Sequence, residues 1–144
     1  LARQLGVQDR VRFLGWRADR GALFRAADIV VFPSRHEPFG TVSLEAWAYQ
    51  RPLVAADASG PAALVQDGRD ALLVPREDDA ALAAAVGRVI DDPACARRLV
   101  AQGHARYLRD YTEEACVRRY LETLGRLSGT DPLGVGTDRR AAAG

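Results

Sequence analysis

The chain has 144 residues, 48% hydrophobic and 27% charged, a balance that suits one globular domain with one core and excludes a disordered or fibrous polypeptide. Its formal net charge of +1 arises from 20 basic residues, all arginine, set against 19 acidic ones; they are scattered, so no basic stripe argues for nucleic acid as a partner. No apolar run approaches the ~20 residues needed to cross a bilayer.

The opening LARQLG reads as a helix with no strand before it, and nothing in LARQLGVQDRVRF has the pattern of a secretory leader. The expectation is a chain that begins inside a domain, with its first strand missing. VRFLG (11–15), DIVVFP (28–33), RPLVAA (51–56) and ALLVP (71–75) then read as strands. DIVVFP and RPLVAA are continuously apolar, as strands covered on both faces must be. Helical periods near 19–27, 41–50 and 60–66 separate them, giving the strand–helix rhythm of right-handed βαβ units. The fold class expected is α/β: a Rossmann-like parallel sheet with helices on both faces.

After Pro75 the pattern is helical only. Asp78 and Asp79 precede Leu82, Ala85, Val86, Val89 and Ile90 at a 3.6-residue period. Asp92 is placed as an N-cap with Pro93 at the first helical position, and Thr112 can cap a last helix whose Val117, Tyr120, Leu121 and Leu124 share a face that something must cover. Residues 1–127 are thus expected to form the domain and 128–144 a disordered tail. Cys95 and Cys116 fall in helices without metal-ligand spacing and are expected to be buried free thiols.

Chemistry concentrates in SRHEPFGTVSLEAWAYQRP, Ser34–Pro52. It directly follows a strand, and ligands of open parallel sheets bind at the carboxyl ends of strands. Gly40 permits close backbone approach, and a helix starting at Thr41 offers unpaired N–H groups and a partial positive charge, an arrangement suited to phosphate; Gly40 also fits a plain loop-to-helix turn. Glu45 lies on a helix that reads as buried nearly all round, so its carboxylate needs either an arginine, with Arg51 and Arg35 as candidates, or the hydroxyls of a ligand. Glu37, seven residues before it across a loop and one helical turn, can be aimed at the same cleft or stand as a solvated loop acid.

Glu37-Pro-Phe-Gly-Thr-Val-Ser-Leu-Glu45, with Ala46, Trp47, Ala48 and then Pro52-Leu-Val-Ala, resembles the E-x7-E motif of the retaining glycosyl transferases of group 1 (glycosyltransferase family 4). VRFLGWRADRGALFRAADIVVFPS (11–34) and DGRDALLVPREDDAALAAAV (from Asp67) resemble the segments flanking that motif. The resemblance covers residues 5–127. It implies the C-terminal half of a GT-B fold, which holds a nucleotide diphosphate sugar donor and transfers the glycosyl group with retention, without cofactor or metal. By the same resemblance Glu45 accepts from ribose hydroxyls and Glu37, the catalytic carboxylate, lies beside the transferred sugar. The amides of Phe39, Gly40 and Thr41 meet the sugar or diphosphate, while Arg17 lies near the base and His36 near the donor.

The resemblance further implies that the acceptor, a sugar or lipid-linked sugar, binds chiefly to an N-terminal domain absent here, so that this chain by itself does not catalyse transfer. The expected setting is bacterial lipopolysaccharide or polysaccharide synthesis in the cytoplasm, with peripheral association of the whole protein at the inner face of the membrane. Two positions depart from the pattern. Ala63 stands where the family carries a glutamate, and Gln50 where it carries a glycine after the helix. A catalytically silent interaction module and a glycoside hydrolase using Glu37 and Glu45 are the alternatives. His104, on a polar helix, receives no role.

Overall fold

Three short parallel strands organise the computed structural model, which describes residues 1–129. β1 (Val30–Phe32), β2 (Leu53–Ala56) and β3 (Leu72–Val74) lie in the order β1-β2-β3, with Val31 opposite Val54 and Ala55 opposite Leu73. Helix α1 (Arg20–Ala26) precedes β1, α2 (Thr41–Ala48) joins β1 to β2, and α3 (Ser59–Leu64) joins β2 to β3. Three helices follow: α4 (Asp79–Asp91), α5 (Pro93–Asp110) and α6 (Glu113–Ser128).

Successive side chains of a strand point to opposite faces, and β2 accordingly divides the apolar interior in two. Leu53 and Ala55 pack with Phe32, Trp47 and Leu64 on the face covered by α2 and α3. Val54 turns the other way, toward Leu72, Val74, Val89, Cys95 and Leu99 on the face covered by α4 and the start of α5. All four β2 residues are buried, which is why the run had to be continuously apolar. At 18 residues, or about 27 Å, α5 reaches from one layer to the other, its Tyr107 and Tyr111 packing against the first cluster.

Gly103 makes that crossing possible. A Cβ there would lie 2.6 Å from Trp47 Nε1, so only glycine lets α5 approach the indole. Trp47 Nε1 donates to the carbonyl of Asp70 (2.9 Å), and the buried Asp70 carboxylate accepts from Arg106 (2.6 Å) and from the Gln66 amide (2.8 Å). Arg106 also stacks its guanidinium over Trp47, 5.4 Å from the ring centroid. His104 Nδ1 hydrogen-bonds the Trp47 carbonyl at 3.0 Å, tying α5 to the end of α2.

The three predicted helix starts are present. Asp78 accepts from the Ala81 amide, Asp92 from those of Ala94 and Cys95 with Pro93 in the first turn, and Thr112 from that of Ala115. Other expectations are corrected. VRFLG is not a strand: residues 11–15 are irregular and exposed, because no described segment pairs with them. LARQLG forms turns rather than a helix, followed by a single 3-10 turn at Gln8–Arg10. β1 is not covered on both faces, since Val31 at this sheet edge is 41% exposed. Cys95 is buried as expected but Cys116 is exposed, on the outer side of α6; both are free. On α6 it is Ala115 and Gly125 that are buried, while Val117, Tyr120 and Leu124 stay exposed with nothing described over them. That helix runs through Ser128 and ends in a left-handed Gly129; the rest of the expected tail, residues 130–144, lies outside the described residues.

Candidate functional site

The loop leaving β1 is folded onto itself and onto the next loop. Glu37 Oε1 accepts from the amides of Gly40 (2.8 Å) and Phe39 (3.2 Å), and the Glu37 carbonyl accepts from the Gly60 amide (2.7 Å). Gly40 adopts φ +90°, the left-handed region that favours glycine. A Cβ on Gly60 would fall 2.6 Å from the backbone N and O of Phe39, so the loops after β1 and β2 meet only because position 60 has no side chain. This fixes the start of α2 at the carboxyl edge of the sheet, where a ligand of a parallel sheet is expected.

From that start, Thr41, Leu44, Glu45 and Ala48 follow at helical spacing and line one side of an open cavity of about 550 Å³, closed by Arg20, Tyr49, Tyr107 and Tyr111. Ser43, Ala46 and Trp47 are the buried face of α2. Glu45 is therefore on the wet side of the helix: its side chain is 28% exposed. Its partner is Arg20, with Nη1 3.2 Å from Oε1. Neither expected arginine is used, because Arg51 donates to the Arg25 carbonyl and Arg35 pairs with Glu77.

A second cavity, about 560 Å³, opens where the loops after all three strands converge, lined by Arg35, His36, Asp57, Pro75, Arg76 and Glu77. Arg35 Nε stands 3.0 Å from Glu77, and Asp57 Oδ1 accepts from the Arg76 amide (3.1 Å) and forms an ion pair with Arg76 Nε (3.3 Å). Glu77 adopts φ +60°, a conformation costly for a residue with a Cβ.

The residues singled out in the sequence thus separate. Thr41 and Glu45 share the first cavity with each other; His36 lines the second. Phe39 and Gly40 stand in the loop between, their amides taken by Glu37. Glu37 lines neither of these two cavities, whereas Glu45 lines the first. Arg17 is occupied by Asp19, Nε to Oδ1 2.7 Å; the hydrogen bond from Arg17 holds the Asp19 carboxyl below the ordinary aspartate range and raises the guanidinium in turn. Arg20, Asp57, Arg76 and Glu77 were not anticipated. The last three follow strands β2 and β3 directly, so the rule that placed a site after β1 applied to them as well. For Arg20 the available signal was a cation in the first turn of a helix, where the dipole opposes it.

Residues 1–92 match the family model described as glycosyl transferases group 1. The chain is 40% identical over 126 residues to the lipopolysaccharide core biosynthesis glycosyltransferase LpsD of Rhizobium meliloti, covering 88% of this chain and 37% of that protein. It is 41% identical over 127 residues to the D-inositol 3-phosphate glycosyltransferase of Salinispora tropica, covering 87% and 26%. Among solved structures, Anabaena Alr3699/HepE in complex with UDP and glucose superposes with a TM-score of 0.80 at 32% identity, covering 87% of this chain and 34% of that one. The C-terminal domain of a glycosyl transferase group 1 family protein (LpcC) from Francisella tularensis gives a TM-score of 0.72 at 25% identity, over 78% and 59%. The chain spans about a third of the length of the first two relatives or less.

Proposed function

The chain belongs to the glycosyl transferases of group 1, and from that membership we propose that it is the donor-binding part of a retaining glycosyltransferase, with Glu45 as the acceptor for the ribose hydroxyls of a nucleotide diphosphate sugar. The observation that carries this reading is the partly exposed Glu45 carboxylate on a cavity along α2, the helix that starts from the loop after β1, with Thr41 one helical turn before it. Two vicinal hydroxyls match the two oxygens of a carboxylate. HepE, alike in fold at 32% identity, holds UDP and glucose.

In this reading the short α2 presents its free first-turn amides, that of Thr41 foremost, to the diphosphate. Glu37 has a double task. Its Oε1 holds the amides of Phe39 and Gly40 in place, which leaves Oε2 for a hydroxyl of the transferred sugar. Rigid donors beside a departing diphosphate lower the barrier by stabilising charge as it develops. Arg17, toward the base, and His36 are further donor contacts. The acceptor is a sugar or lipid-linked sugar recognised chiefly by the rest of the whole protein, which works at the cytoplasmic side of a membrane; among the described residues no helix is long and apolar enough to cross one.

Calorimetric titration of the intact protein with UDP, GDP and ADP tests the proposal. One of them binds, and Glu45→Ala weakens that binding by about tenfold or more, since each hydrogen bond to a charged group contributes ~1.5–3 kcal/mol. Affinity unchanged by Glu45→Ala would refute the assignment.

A further inference from the structure

Arg20 has no evident reason to be where it is. It occupies the first position of α1, where the positive end of the helix dipole disfavours a cation, and the preceding N-cap, Asp19, makes no capping bond because its carboxylate is held by Arg17. Arg20 is also solvent-facing, its side chain 71% exposed, so it fills no part of the core. Among the described residues its ion pair is with Glu45, at 3.2 Å, and both residues line the cavity with Thr41, Leu44, Ala48 and Tyr49.

We propose that Arg20 is a positioning residue that gates this cavity: its guanidinium holds the Glu45 carboxylate, and ribose hydroxyls must displace it to bind. The inference rests on the reading of Glu45 given above and adds to it the competitor that the ribose meets. The pair keeps the carboxylate oriented toward the opening and compensates its charge, and an exposed pair is weak enough to be exchanged for hydroxyls at little cost. A nucleotide therefore enters by ligand exchange on one carboxylate, and part of its binding free energy goes into releasing Arg20.

The experiment uses the intact protein. UDP, GDP and ADP are titrated first, and the uncharged nucleoside of whichever binds becomes the probe, because it carries the ribose diol without phosphate charge. Arg20→Ala, and Arg20→Gln as a variant that keeps the stem, are expected to bind that nucleoside about two- to fivefold more tightly than the wild type, the range set by ~0.4–1 kcal/mol for an exposed pair. Raising NaCl from low to high concentration should tighten nucleoside binding by the wild type, by screening the competing pair, and leave both variants unchanged. A merely structural role for Arg20 would give weaker binding and no such difference in salt response.

Nucleoside affinity unchanged or weakened in both variants, with Glu45→Ala still weakening binding, overturns the gate while the donor site stands. Affinity unchanged by Glu45→Ala overturns the donor site and the gate with it, as does failure of all three nucleotides to bind.

Discussion

Gln50 shows how a single position can keep a family's geometry with the wrong residue for it. Its φ of +54° puts it in the left-handed region, and the bonds around it are those of a Schellman ending: the Arg51 amide reaches the Ala46 carbonyl and the Gln50 amide that of Trp47. The turn is thus made as a glycine would make it, at the steric cost of a Cβ. Gln50→Gly relieves that strain, partly offset by the freer unfolded chain of glycine; a gain of about 1 kcal/mol is expected, read as a higher urea midpoint with unchanged slope. A lower midpoint would mean that the glutamine side chain contributes something its exposed position does not reveal. At Glu45 the same scale corrects the sequence. The need for a partner was legible from residue type, but neither the partner nor the degree of burial was.

Among the elements, helix starts were the most legible, because a cap is a contact within three residues and needs no knowledge of the fold. Asp92 supports the junction of α4 and α5 in this way. The Cys95 amide chiefly, and that of Ala94, hold its carboxyl below the ordinary aspartate range against the opposing effect of desolvation. A carboxyl whose folded value is lowered contributes stability that is complete above the unfolded value of about 3.9 and is lost as pH falls through the lower folded one. Asp92→Ala is therefore expected to be less stable than the wild type at neutral pH, with the difference shrinking in denaturant titrations below about pH 4. A pH-independent difference would assign the loss to helix geometry alone. Strands were harder to place. VRFLG has the composition of one, yet a strand exists only by pairing, and among the described residues none pairs with it.

At the scale of the whole molecule, one side chain ties the layers together. Trp47 leaves α2 on its buried face, donates to Asp70 before β3, and meets Gly103 and Arg106 on α5. The Asp70–Arg106 pair beneath it is nearly enclosed, at 2% and 17% side-chain exposure. Removing one member of such a pair strands the other, so Arg106→Ala is expected to cost about 3 kcal/mol in chemical unfolding and Asp70→Ala with Arg106→Ala less than the sum of the two single changes. Additive losses would show that the charges act independently. Since α2 also carries Thr41 and Glu45 on its other side, this contact sets how the cavity wall stands on the sheet.

The sequence alone determined the alternation of strands and helices after residue 19 and the caps, because periodicity and capping are local properties. Tertiary structure decided that Glu45 meets Arg20, that Glu37 turns back on its own loop, that His104 holds the end of α2, and that Glu45 and His36 line different cavities. Each of those outcomes depends on which distant segments are brought together and how deeply each side chain sinks, and no local pattern encodes either.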